Sequence, residues 1–96
     1  MLINGYEFQG PFPLERTEFN PVPAVYVVSN HQQNPVDVGQ TNDLKQRMSC
    51  HEREYCWKKN APYGPMVYAF VHDNEQVRLN VESKIRDSYQ FACGIR

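Results

Sequence analysis

The sequence predicts a single α/β (α+β) domain in which a small, mainly antiparallel three-stranded sheet is flanked by helices. Three observations lead to this prediction: short runs of strand-forming residues, two longer segments with apolar residues at helical spacing, and polar or proline-rich breaks between them. The 96 residues suffice for one hydrophobic core, and the hydrophobic content of 41% suits a folded chain. No apolar run approaches the length of a membrane span.

The first 23 residues are expected to form an N-terminal hairpin or arm that packs on the domain, which then spans residues 24–96. Asn4-Gly5 is a turn signal beside short strand-like stretches, and several prolines follow it. The aromatic side chains that would pack this segment are Tyr6, Phe8, Phe12 and Phe19.

Three segments are predicted to form the sheet. Ala24–Ser29 is rich in valine and follows a proline, which is typical of the start of a strand. A polar turn then leads into a returning strand at Val36–Gln40, so these two segments form a hairpin. Met66–Val71 is the third strand, because its residues are aliphatic or aromatic and follow a proline- and glycine-containing break.

Two helices are predicted, each after a cluster of residues that favour helix N-termini. Thr41-Asn42-Asp43 precedes a helix from Leu44 to about Lys59. His72-Asp73-Asn74 precedes a second helix that ends at about Ser88 or Tyr89, with apolar residues every four positions. The helices would cover the apolar faces of the sheet.

Charge is unevenly distributed along the chain, although its net value is −1. Residues 1–43 contain one basic and five acidic residues, whereas residues 44–96 contain nine basic and six acidic residues. Much of the basic excess lies in the predicted first helix, where it would allow contact with phosphates. An ordinary solvated helix surface explains the same pattern, so charge alone does not decide between the two.

The three cysteines are Cys50, Cys56 and Cys93, an odd number without closely spaced pairs. This pattern predicts reduced thiols rather than a disulfide framework. The N-terminus also lacks the basic and then apolar pattern of a signal peptide. We therefore expect a cytoplasmic protein.

Four side chains fall at positions where the predicted elements would bring them together. Tyr26 lies on the first strand of the hairpin, and Arg47 and His51 lie four residues apart on one face of the first helix. Glu82 lies at the edge of the buried face of the second helix. A phenol, a guanidinium, an imidazole and a carboxylate form a plausible site for cleaving a phosphodiester. Each also has a structural explanation: a core tyrosine or histidine, a solvated or ion-paired arginine, or, for Glu82, a surface ion pair with Arg78 or Arg86.

The order of these residues resembles that of the GIY-YIG endonucleases, a family named for Gly-Ile-Tyr and Tyr-Ile-Gly blocks on neighbouring strands. Here the blocks read Ala24-Val25-Tyr26 and Asp37-Val38-Gly39, separated by ten residues. The resemblance continues through Arg47 and His51 and ends beyond Glu82. It implies the same three-stranded sheet with flanking helices that the periodicity predicts.

The resemblance implies a divalent-metal-dependent endonuclease that hydrolyses DNA with Mg²⁺ or Mn²⁺. Glu82 would bind the metal ion, and Arg47 would hold the scissile phosphate. Tyr26 would assist the attacking water, while His51 would form a hydrogen bond with Tyr26 or relay its proton. Nucleic acid is the expected partner. A partner protein or a second copy of the chain would help to select the target. No membrane partner is expected.

Two positions depart from the family pattern. Asp37 replaces the tyrosine of the second block, where it would either add a carboxylate to the metal site or repel the phosphate. Cys93-Gly94 lies where many family members have an asparagine. The alternative function is therefore a catalytically degenerate GIY-YIG fold that acts as a nucleic-acid-binding or protein-interaction module. The proline- and aromatic-rich arm would serve the latter.

Overall fold

The structure of the chain is a computed structural model, which describes residues 1–49 and 53–94. The described residues form six strands, three α-helices and one short 3-10 helix at Leu14–Arg16. The strands are β1 (Leu2–Ile3), β2 (Tyr6–Glu7), β3 (Gln9–Pro13), β4 (Ala24–Ser29), β5 (Pro35–Thr41) and β6 (Met66–Val71). The helices are α1 (Leu44–Ser49), α2 (Glu54–Asn60) and α3 (Glu75–Ser88).

Strands β3 to β6 form one antiparallel sheet in the order β3-β6-β4-β5, and β1 and β2 form a separate hairpin. The predicted α/β class and antiparallel sheet are confirmed. The sheet has four strands rather than three, because β3 of the N-terminal segment pairs with β6. The glycine and prolines of β3 indicated a break, but an edge strand with an irregular register accommodates them.

The elements that carry the two sequence blocks lie where the sequence predicts them. β4 has the predicted bounds, and β5 is one residue longer at each end than predicted. β6 also has the predicted bounds, and α3 begins after the predicted cap. The side-chain oxygen of Asn74 accepts a hydrogen bond from the backbone N–H of Val77 at 3.1 Å, which stabilises the first turn of α3.

The single helix predicted from Leu44 to about Lys59 is wrong, because the structure contains two short helices, α1 and α2. Arg53, immediately before α2, has φ −100° and ψ 8° and belongs to a turn. Residues 50–52, including His51, lie outside the described residues. No helix in the described part of the chain is long and apolar enough to cross a membrane.

The central strand β4 is buried on both faces, so helices pack on both sides of the sheet. Tyr26 packs in the same apolar cluster as Trp57 of α2. The next residue along the strand, Val27, packs in a second cluster with Val81 and Ile85 of α3. Because successive strand residues point to opposite faces, α2 and α3 cover opposite faces of the sheet.

Two of the cysteines are joined in the structure. Cys56 of α2 and Cys93 of the C-terminal tail form a disulfide with Cα atoms 5.9 Å apart. The prediction of reduced thiols is therefore wrong for this pair. The 37-residue separation conceals the pairing in the sequence, because the tail meets α2 only in the folded chain. The backbone N–H of Cys93 donates to the carbonyl of Val36 at 3.0 Å, which places the tail beside β5.

Candidate active site

The Tyr26 side chain lies directly over Gly39. The two residues are opposite each other in the β4–β5 register, and Tyr26 is fully buried. A Cβ atom at position 39 would overlap the hydroxyl oxygen and the ring of Tyr26. Only glycine leaves this space open, so the last residue of the second block allows the phenol of the first block to lie over it.

Two guanidinium groups donate hydrogen bonds to the Tyr26 hydroxyl oxygen. Arg47 of α1 donates from Nε at 3.0 Å, and Arg53 donates from Nη2 at 3.4 Å. The Arg47 Cζ atom lies 5.9 Å from the centre of the tyrosine ring, within the range of a cation–π contact. The phenol oxygen is therefore surrounded by positive charge although the net charge of the protein is slightly negative.

Burial raises the pKa of Tyr26 above its ordinary value of 10.0. The hydrogen bond and charge of Arg47, and the charge of Arg53, act in the opposite direction but do not outweigh the burial. The phenol is therefore neutral near physiological pH. Its oxygen can orient a water molecule, whereas removal of a proton from that water requires the phenolic proton to leave at the same time.

Titration of Tyr26 is expected to have a midpoint above 10.0. Because the neutral phenol is favoured in the folded state, its contribution to stability is present below the unfolded pKa. It is lost as pH rises through the folded pKa. The ultraviolet absorbance of tyrosinate, measured for wild type and Tyr26→Phe, gives the Tyr26 curve by difference. A midpoint below 10.0 would show that the two arginines outweigh burial.

Asp37 is fully buried, and both of its carboxylate oxygens accept hydrogen bonds. Oδ1 accepts from the backbone N–H of Val38 at 2.8 Å and from Nη1 of Arg53 at 3.2 Å. Oδ2 accepts from the indole N–H of Trp57 at 2.8 Å. Buried charges require such partners, so the carboxylate holds Arg53 in the position from which it reaches Tyr26.

Glu82 reaches the same region from the opposite face of the sheet. Its Oε2 atom lies 3.4 Å from Nη2 of Arg86, one turn further along α3. The same Nη2 atom lies 4.0 Å from Oδ1 of Asp37. Arg86 also donates hydrogen bonds to the carbonyls of Val38 and Gly94. Arg86 thus links α3, the outer edge of β5 and the C-terminal tail.

Together these contacts form a continuous series, which we call the site network. It runs through Arg47, Tyr26, Arg53, Asp37, Arg86 and Glu82, and no step along it exceeds 4.0 Å. The structure therefore brings together four of the five predicted site residues. The fifth, His51, lies outside the described residues.

The donor atoms of the site suit a divalent cation held at Glu82. In the described ranges, 1–49 and 53–94, no three or more His, Cys, Asp and Glu side chains cluster as a metal cage. Glu82 offers one carboxylate that is 20% exposed. Mg²⁺ commonly binds through one or two carboxylates and keeps several waters, so this set fits it. The oxygens of Asp37 already accept hydrogen bonds from the chain itself.

Comparison with known proteins identifies the fold. No protein-family model matches the sequence, and no curated protein sequence matches it. The structure is similar to crystal structures of three point mutants of the GIY-YIG N-terminal endonuclease domain of UvrC from Thermotoga maritima, each bound to its catalytic divalent cation. In each case the TM-score is 0.65, with 18% to 20% identity over 80% of this chain and 87% of the other. The chain has the GIY-YIG endonuclease fold.

The GIY-YIG fold places the two sequence blocks on the paired strands β4 and β5, as the resemblance implies. Asp37, which the resemblance aligns with the second tyrosine of the family name, lies on the same face of the sheet as Tyr26. At this position the Asp37 carboxylate accepts hydrogen bonds from Arg53 and Trp57.

Sequence reasoning missed two contributors to the candidate site, Arg53 and Trp57. Arg86 was expected only as a possible ion-pair partner of Glu82, and the structure contains that pair. The one available signal was Asp37 itself, a carboxylate between valines in a strand predicted to be buried. Such a group requires a partner, but the sequence offers ten basic residues and does not identify which one folds beside it. The turn ahead of α2 determines the position of Arg53, and that turn was predicted as helix.

Proposed function

We propose that this chain is a divalent-metal-dependent endonuclease that hydrolyses DNA phosphodiester bonds. The observation that carries the proposal is the 3.0 Å hydrogen bond from Arg47 to Tyr26. It joins the phenol of the first block to a guanidinium of the following helix within a fold known for endonuclease domains. The UvrC domains with this fold contain a catalytic divalent cation, which supports the use of a metal here.

The two arginines on Tyr26 would receive the scissile phosphate. Arg47 presents a planar set of N–H donors suited to phosphate oxygens, and Arg53 adds a second guanidinium. The neutral Tyr26 hydroxyl would orient the attacking water. His51, four residues after Arg47, would take the phenolic proton as the water is deprotonated.

Glu82 would hold Mg²⁺ or Mn²⁺ together with water molecules. Such an ion supplies charge neutralisation at the phosphoryl oxygens and lowers the pKa of bound water. Arg86 lies against Oε2 of Glu82 and against the edge of β5, so it would fix the direction of the carboxylate. In this role Arg86 is a positioning residue.

The proposal also covers the extent of the nuclease unit, its contact with nucleic acid, its partners and its location. Residues 24–96 would form the nuclease unit, and the N-terminal segment would pack on it and add β3 to the edge of its sheet. The exposed Lys45 and Lys59 support a sequence-independent contact with nucleic acid. A partner protein or a homodimer would select the target, and a cytoplasmic location is proposed.

A second candidate function is favoured by the Glu82–Arg86 ion pair and by Asp37. The carboxylate proposed for the metal already has a cationic partner at 3.4 Å, and the second block lacks its tyrosine. These features favour a GIY-YIG fold that binds nucleic acid, or another protein, without cleaving DNA.

The test is cleavage of supercoiled plasmid and branched duplexes with Mg²⁺ or Mn²⁺ by wild type and Glu82→Gln. The variant keeps the shape of the side chain but loses its negative charge. We expect half-maximal cleavage to require at least about 10-fold more metal ion. Glu75→Gln is the matched control, because it removes an exposed carboxylate from the first turn of the same helix. It should leave the metal requirement unchanged.

The other outcomes separate the candidate functions. Equal metal dependence in wild type and Glu82→Gln would contradict the assignment of Glu82 to the metal. Salt-sensitive binding without cleavage would support the nucleic-acid-binding module. Absence of binding even at low salt would favour the protein-interaction module.

A further inference from the structure

The disulfide connects two segments that both enclose Asp37. On the α2 side, Cys56 directly precedes Trp57, whose indole N–H donates to Asp37 at 2.8 Å. Trp57 is fully buried and packs edge-on against the Tyr26 ring at a centroid distance of 6.0 Å. A displacement of Cys56 would therefore be transmitted to Asp37 and Tyr26 through one neighbouring residue.

On the tail side, Cys93 directly precedes Gly94. The Gly94 carbonyl accepts a hydrogen bond from Arg86. A Cβ atom at this position would overlap side-chain atoms of Arg53 and Asp37, so the tail backbone lies directly against the site network. Gly94 has φ +68°, which glycine adopts readily.

We propose that the Cys56–Cys93 disulfide is a redox-controlled clasp on the candidate active site, opened by thiol–disulfide exchange with a dithiol reductant. The proposal concerns regulation of the site and rests on the proposed function. The closed clasp holds the tail and α2 against Asp37, and thereby holds Arg53 at Tyr26. Opening the clasp loosens both segments and lowers cleavage.

The exchange proceeds from the more accessible sulfur. Cys56 is partly exposed, whereas Cys93 is only 2% exposed. A thiolate of the reductant attacks Sγ of Cys56, the Cys56–Cys93 bond breaks, and Cys93 leaves as a thiolate. The second thiol of the reductant then attacks the mixed disulfide and releases Cys56. The reductant becomes a disulfide, and two electrons and two protons pass to the two cysteines.

In the proposed cytoplasmic location, a disulfide that opens and closes reversibly is expected rather than one that stays closed. Cytosolic disulfides are usually transient and act in catalysis or redox sensing, because cellular reductants keep thiols reduced. This bond also joins elements that directly contact the site network rather than two remote loops. Opening the disulfide would therefore act directly on the site network.

Trp57 provides a direct readout, since it is the one tryptophan in the sequence. The folded protein is treated with dithiothreitol, and alkylation counts the free thiols, which should rise as the disulfide opens. We expect Trp57 emission to move to longer wavelength and quenching by acrylamide to increase. Oxidised glutathione should reverse both changes. Far-ultraviolet circular dichroism checks that the secondary structure remains.

Two variants and a cleavage assay complete the experiment. Cys56→Ser should resemble reduced wild type and show no redox response, whereas Cys50→Ser should respond as wild type does. The inference is overturned if the disulfide resists reduction until the protein unfolds, or if it opens without a change in Trp57 emission. Unchanged cleavage despite a Trp57 shift also overturns it. Absence of cleavage in both redox states contradicts the proposed function, while Trp57 still reports on the clasp.

Discussion

Replacing Arg47 with alanine is expected to lower the rate of phosphodiester cleavage by about 10²- to 10³-fold. Arg47 is the nearer of the two guanidinium groups on the Tyr26 hydroxyl, at 3.0 Å. Its loss would remove the principal phosphate donor proposed for the site and one of the cations that lower the pKa of Tyr26. Single-turnover cleavage with saturating protein and metal ion measures the chemical step separately from binding.

Two matched variants distinguish this role from general attraction of DNA. Arg47→Lys keeps the charge but lacks the planar donors, so we expect it to recover little of the lost rate. Lys45→Ala removes an exposed cation from the same helix and should weaken binding in a salt-dependent manner without a comparable loss of rate. If Arg47→Ala cleaves at the wild-type rate, Arg47 does not contact the scissile phosphate.

The parts of the fold that follow local sequence patterns were predictable. Strand β4 is a run of β-branched and aromatic residues after a proline, and the Asn74 cap marks the start of α3. Strand β3 was missed because the pairing of an edge strand with β6 depends on a distant partner rather than on local alternation. The break between α1 and α2 was missed because the sequences of both helices favour helix, and no proline or glycine lies between them.

In the candidate site, too, local spacing predicts some residues, whereas tertiary contacts determine others. Tyr26, Arg47 and Glu82 could be selected from their spacing, because the elements that bear them are regular. The partner of Asp37 and the partner of Cys56 depend on chain segments that meet only in the folded protein. The role of Asp37 therefore could not be chosen from the sequence. The structure gives it a third set of contacts, to Arg53 and Trp57, besides the two possibilities that the resemblance suggested.

Asp37→Ala is expected to lower the free energy of unfolding by about 3 kcal/mol, at the lower end of the range for breaking a buried ion pair. The Asp37 side chain is 0% exposed and its Arg53 partner is 24% exposed. Arg53 can therefore regain part of its hydration in the variant, whereas the buried indole N–H of Trp57 loses the hydrogen bond to Asp37. Urea unfolding followed by Trp57 emission, with all samples in the same redox state, measures the change.

Two further substitutions at position 37 test why the carboxylate is needed. Asp37→Asn keeps an acceptor for Trp57 but removes the charge that holds Arg53, so a smaller loss of about 1–2 kcal/mol is expected. Asp37→Tyr introduces the residue of the family name into a fully buried position already in contact with Trp57 and Arg53, and overpacking should destabilise the fold. A stable Asp37→Tyr protein that cleaves DNA faster than wild type would contradict the positioning role, because Arg53 would then not need its carboxylate.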